Sequence, residues 1–163
     1  MLKVSRCCCA RQNGTTQIDH IIVSRFGLFV VETKNYSGWI FGDEKQSQWT
    51  QVFHKKKIRF QNPILQNYRH QKCLAEYLDL EISKIHPIVF FIGDSVFKTD
   101  MPKKVMDKGL VSYIRSFKNL VISEEENLDI SAKVGGLEKD ATLNHKVHMQ
   151  SLKARHELNY CLP

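Results

Sequence analysis

No apolar run in this chain approaches the ~18 residues that a membrane-spanning helix needs. The opening MLKVSRCCCARQNG also lacks the apolar segment, roughly 7–15 residues long, of a secretory signal. These two absences point to a cytoplasmic protein with no membrane partner. There is no internal repeat and no low-complexity tract, so neither a solenoid nor a linker array is expected. Cysteine is too poorly distributed for a disulfide framework. The five are Cys7, Cys8, Cys9, Cys73 and Cys161, an odd number with three adjacent. Neighbouring residues on a strand point to opposite faces, so the adjacent three cannot converge on one metal. Free thiols in a reducing compartment are the simplest reading. No acidic residue precedes Asp19.

What is present suffices for one domain with a small appendage. The chain has 163 residues and is 42% hydrophobic, enough to build a core and to argue against wholesale disorder. Its formal net charge of +7 favours an anionic partner, nucleic acid first. The basic residues cluster in HKKKIRF (His54 to Phe60) and MPKKVMDK (Met101 to Lys108). Lys55, Lys56, Lys57, Lys103 and Lys104 are therefore the candidate phosphate contacts. Such contacts give salt-dependent affinity and little sequence preference.

Ile18–Ser24 and Leu28–Lys34 are short and rich in β-branched and aromatic residues, which predicts strands. Arg25, Phe26 and Gly27 supply the turn between them. Asn35–Gly38 reads as a second turn. Trp39–Phe41 and Gln48–Phe53 read as further strands joined by a loop at Gly42–Lys45. The period then changes. Asn62 as N-cap and Pro63 in the first turn open a helix over Pro63–Leu80, with Ile64, Leu65, Tyr68, Leu74, Tyr77 and Leu78 as its apolar stripe. HPIVFFIG reads as a strand buried on both faces. Lys103–Met106 reads as a short strand, and Leu110–Phe117 and Glu124–Val134 as helices, the latter with Ser123 and Glu126 in a capping box. Thr142–Leu158 reads as a polar helix. The order β-β-β(β)-α-β-(β)-α-α describes a mixed α/β sheet with helices packed on it.

The hairpin carries an unexpected set of charges. With a two-residue turn at Arg25-Phe26, cross-strand partners have numbers that sum to 51: Val23 faces Leu28, Ile21 faces Val30, and Asp19 faces Glu32. One face then runs from an apolar floor to a polar end of Asp19, Glu32 and Lys34. Directly opposed side chains have Cβ atoms only ~4.5–5.5 Å apart, and two carboxylates at that separation repel. A divalent cation would remove the conflict, since Mg2+ accepts one or two carboxylates plus substrate phosphate. The competing interpretation is a pair of solvated strand ends, with Lys34 neutralising Glu32. A bulge at Gly27 would change the pairing.

Asp19, then twelve intervening residues and Glu32-Thr33-Lys34, resembles the D…(D/E)-x-K signature of the restriction-endonuclease-like nuclease fold. The wider text TQIDHIIVSRFGLFVVETKNYSGWIFG, then QNPILQN and a helix, resembles the nuclease-related domain (NERD) family over about Gly14 to Phe117. The resemblance implies an α/β fold with a restriction-endonuclease-like mixed central β-sheet flanked by helices. It also implies a metal-dependent phosphodiester hydrolase acting on DNA. Position by position, Asp19 and Glu32 would bind Mg2+, with Mn2+ as a substitute. Lys34 would orient or activate the attacking water and stabilise charge on the phosphorane. Gln66 matches a glutamine that lines this site in related nucleases, and His70 shares its helix face one turn on. His20 matches the family text but reads as a packed sheet histidine.

Two departures qualify the resemblance. Such nucleases usually carry a helix before the first core strand, often with a metal-assisting Glu. Here only about fourteen residues precede the motif, and Leu2–Cys9 reads as the first strand, so the N-terminal helix is missing. After the nuclease-related domain (1–140), residues 141–163 form an extension ending in YCLP, which resembles the start of a truncated zinc-ribbon module. One cysteine makes no zinc site, and His145 and His148 fit a polar helix face. The alternative function is a catalytically impaired nuclease-fold module that binds nucleic acid or protein. Trp39 and Trp49 are open to either base stacking or sheet packing.

Overall fold

The computed structural model describes the backbone of residues 3–11 and 14–137, and side chains from residue 17 onward. The expected helix over Thr142–Leu158, the boundary at residue 140, and His145, His148 and Cys161 lie outside the described residues. Among the described residues, no helix is long and apolar enough to cross a membrane.

Among the described residues, nine strands form two mixed sheets. The first contains β1 (Lys3–Arg11), β2 (Gly14–Ser24), β3 (Gly27–Asn35), β7 (Ile85–Ile92) and β9 (Val105–Met106), in that spatial order. Neighbours β1–β2–β3 run antiparallel, while β3–β7 and β7–β9 run parallel. The second contains β6 (Lys56–Gln61), β5 (Gln48–Phe53), β4 (Gly38–Phe41) and β8 (Ser95–Phe97). Strands β3 and β7 each pass directly into the second sheet, as β4 and β8, so the sheets share a seam. Gly38 N donates to Asp94 O across it at 2.8 Å. At the seam Gly93 adopts φ +105°, and a Cβ there would meet Tyr36 O at 2.8 Å, so only glycine fits.

Helices cover the first sheet on both faces. On one face Ile18, Ile21, Val23, Leu28 and Val30 pack under Cys73, Leu74 and Leu78 of α1 (Pro63–Leu78) and under Ile130, Val134 and Leu137 of α3 (residues 124–137). On the other, Ile22, Phe29, Val31 and Ile88 pack against α2 (Leu110–Arg115) and the segment after it, through Tyr113, Ile114 and Phe117. The capping box before α3 forms as expected: Glu126 N donates to Ser123 Oγ (3.1 Å), and Ser123 N donates to Glu126 Oε2 (2.8 Å).

Three expectations are revised. Strand β6 occupies the segment read only as a basic cluster. It pairs with β5 through a two-residue turn in which His54 (φ 45°) and Lys55 (φ 66°) are both left-handed. Helix α1 ends at Leu78, two residues early, with Asp79 as a left-handed C-cap. Its inner face matches the predicted apolar stripe at Ile64, Leu74 and Leu78 but departs from it elsewhere. Tyr68 and Tyr77 are exposed, whereas Asn67, His70 and Gln71 are buried.

Those polar residues dock the helix. Asn67 Nδ2 donates to Val30 O (2.9 Å) and Ile88 O (2.8 Å), bridging β3 and β7. Gln71 Nε2 donates to Ile85 O (2.6 Å). At the N-terminus Asn62, fully buried, accepts from Ile64 N (2.9 Å) as N-cap. Its amide donates to Gln46 O (2.6 Å) and Asp43 O (3.0 Å). Asn62→Ala removes the cap and the amide's hydrogen bonds to the loop carbonyls of Asp43 and Gln46 together. It is expected to lower the unfolding free energy by about 2–3 kcal/mol, measured by urea denaturation followed by circular dichroism.

Candidate active site

The site is built where β2 and β3 part company. Their register follows the sum-of-51 rule, from Ser24–Gly27 through Val23–Leu28, Ile22–Phe29 and Ile21–Val30 to His20–Val31. Gly27 takes φ +125°, and a Cβ there would lie 2.5 Å from His86 Nε2. The ladder ends at His20–Val31, one pair short of Asp19 and Glu32. The cause is on the other edge of β2. Against β1, Ser5 pairs with Ile21 but Cys7 pairs with Ile18, so Asp19 and His20 together oppose Arg6. This is a β-bulge, a device that bends a strand and re-aims side chains, often beside functional sites. It also explains how Ile18 and Ile21, three residues apart, are both fully buried in one cluster, which strict alternation forbids.

Released from the ladder, the Asp19 carboxylate takes a backbone partner instead: Thr33 N donates to Asp19 Oδ2 at 2.9 Å. Glu32 lies on the α1 side of β3, only 3% exposed. Lys34 Nζ donates to Glu32 Oε1 at 2.7 Å and to Gln66 Oε1 at 2.9 Å. An ammonium has three protons, so one remains for a further acceptor. His70 Nδ1 lies 3.7 Å from Glu32 Oε2, too far for a hydrogen bond, and has no hydrogen-bond partner among the described residues.

Electrostatics at the site oppose charge. Burial raises the Glu32 carboxyl above its ordinary value of 4.5; the Lys34 ammonium pulls it down but does not prevail, and nearby Asp19 adds to the rise. Burial also lowers His70, with Lys34 and Arg69 adding to that and Asp19 opposing it. His70 is therefore neutral at pH 7, and its contact with Glu32 is not an ion pair.

The structure thus gathers Asp19, Glu32, Lys34 and Gln66, with His70 beside them. The lysines singled out for phosphate are elsewhere. Lys55 is in the β5–β6 turn, and Lys56 and Lys57 lie exposed on β6. Lys103 is exposed, whereas Lys104 is half-buried in an ion pair with Glu44 at 2.6 Å. His20 is half-buried. Sequence reasoning missed Asn67, whose docking role has no signal beyond a polar residue at an inward helical position. Among the described residues, no group of three or more His, Cys, Asp or Glu is arranged to hold an ion.

Residues 3–92 match the nuclease-related domain. The chain belongs to the nuclease-related domain family. Its mixed sheets and flanking helices are consistent with the restriction-endonuclease-like α/β fold of that family. An uncharacterized protein of Bacillus anthracis is 38% identical over 118 residues, covering 69% of this chain and 55% of that protein. The chain thus spans about half the length of this curated relative. No solved structure matches the chain. Glu32 and Lys34, which the sequence resemblance singles out, lie within the matched range and share a hydrogen bond.

A raised carboxyl makes the native state bind a proton that the unfolded chain has released, so stability falls as pH rises above 4.5. Glu32→Gln, which mimics the protonated acid, is expected to melt at a higher temperature than the parent at pH 8 in EDTA. The difference should vanish below pH 4.5, as read by calorimetry across pH.

Proposed function

We propose that this protein is a Mg2+-dependent nuclease that hydrolyses phosphodiester bonds in DNA. The observation that supports it best is the buried Glu32, bonded to a lysine that Gln66 also holds, with Asp19 close enough to disfavour its ionisation. A sheet has no stability reason to bring these groups together, because breaking or pairing buried charge is costly. A divalent cation reverses the sign of that cost. Asp19 and Glu32 fit Mg2+, which takes one or two carboxylates and completes its shell with water and substrate phosphate. The ion, when bound, polarises the phosphoryl oxygen and lowers the pKa of water.

The chain's own residues set the rest of the chemistry. Glu32 and Gln66 fix the Lys34 ammonium in place, so its remaining proton can meet the attacking water or a non-bridging phosphate oxygen. Phosphodiester attack adds negative charge to those oxygens, and a fixed ammonium in a poorly hydrated pocket stabilises it. The Thr33–Asp19 hydrogen bond holds one carboxylate oxygen and leaves the other for a ligand. DNA is the proposed substrate because the chain carries a net charge of +7 and clustered lysines. The alternative, a module that binds without cutting, draws on the small count of metal-ligating groups noted above.

Cleavage of supercoiled plasmid separates the two. Nicking with Mg2+, lost in EDTA and in Glu32→Ala, is the expected result; retardation of DNA on a gel without cutting would favour the binding module. Lys34→Ala is expected to retain metal affinity in calorimetry while turnover falls about 10²–10³-fold. Full turnover in that variant would remove Lys34 from the mechanism.

A further inference from the structure

The second sheet presents a face that the nuclease chemistry does not use. Ile40 and Trp49, fully buried, and Gln51, nearly so, point from β4 and β5 toward the core. Alternation sends Trp39 and Phe41 the other way. Across the ladder Trp39 is flanked by Val96 on β8 and Val52 on β5, and Val52 pairs with Lys57 on β6. Phe41 pairs with Thr50, which pairs with Arg59. Trp39 is 50% exposed, and Lys98 Nζ stands 4.8 Å from its ring centroid. Lys57 and Arg59 are exposed. The four strands, GWIF, QWTQVF, KKIRFQ and SVF, contain no acidic residue.

We infer that this outer face binds single-stranded DNA, with a base stacked on Trp39 and the backbone held by Lys57, Arg59 and Lys98. The inference deepens the nuclease reading and rests on it for the choice of DNA. A large exposed indole on a sheet face with cations around it is the chemistry that recognises unpaired bases without regard to sequence. Duplex DNA hides its base faces and would meet only the cations. The lysine over Trp39 orients the ring by a cation–π contact and is itself placed for a phosphate. The position suits a substrate that also reaches the catalytic cluster. Trp39 follows Lys34 by five residues, so the two are at most roughly 18 Å apart along the chain.

Binding is tested in EDTA, where nothing is cut, with a fluorescent oligo-dT and a duplex of equal length by anisotropy. Trp39→Ala is expected to weaken oligo-dT binding about tenfold or more and leave duplex binding nearly unchanged, with Trp39→Phe recovering most of the loss. Because Trp49 is fully buried, quenching of the native emission by unlabelled oligo-dT should disappear in Trp39→Ala. Thermal melting of each variant checks that the fold is kept. Equal loss on oligo-dT and duplex, or no loss on either, overturns the proposal, as does preferential binding of oligo-U. Failure here is separate from failure of the nuclease reading. Glu32-dependent plasmid nicking with Trp39-independent binding sinks only this inference, whereas Trp39-dependent binding without nicking sinks only the other.

Discussion

A carboxylate kept almost dry between β-strands is the constraint on which the site depends. Glu32 is buried deeply enough that its carboxyl sits above its ordinary value despite an ammonium at 2.7 Å. That ammonium needs a second acceptor, which Gln66 provides, and Gln66 is placed only if α1 lies correctly on the sheet. The helix is in turn located by amide side chains that meet backbone carbonyls, from Asn62 in the loop before it to Gln71 in its third turn. Apolar packing alone permits a helix to slide or rotate with little change in buried area. Directional hydrogen bonds to fixed carbonyls do not, so the polar inner face of α1 sets the distance between two catalytic candidates.

Asp19 is governed by a different device. Continued pairing would have placed its carboxylate directly against Glu32. The bulge at Asp19 and His20 ends the ladder early and gives one Asp19 oxygen to the Thr33 amide. Burial is the main cause of the rise at Glu32, and Asp19 remains near enough to add to it.

The central hairpin was legible because local chemistry dictated it. Gly27 follows a two-residue turn, and the alternating residues on either side fix the register, so the shared face of Glu32 and Lys34 followed from numbering alone. The bulge was not legible, because it is set by β1, whose sequence carries no turn or glycine signal opposite it. Strand β6 was hidden for a related reason. A two-residue turn with both residues left-handed normally announces itself with Asn or Gly, and here His54 and Lys55 fill it. The polar part of the inner face of α1 escaped because hydrophobic periodicity assumes that buried means apolar, while Asn67 and Gln71 are buried for their hydrogen bonds. Trp39 and Trp49 were indistinguishable as residue types; strand phase alone separates the exposed ring from the stacked one at 6.2 Å from Phe91.

The turn of that hairpin is finished by a distant part of the chain. Arg25 O accepts from both Val121 N (3.0 Å) and Ile122 N (3.2 Å), and the Arg25 side chain meets Glu124, 99 residues away. Strands β2 and β3 can find each other as soon as they are made, since their contacts are local. The tie to Val121 and Ile122 cannot form until nearly a hundred more residues have left the ribosome. The part of the apolar floor that Ile122 covers therefore stays open until then, while α1, made about forty residues earlier, can already cover the rest.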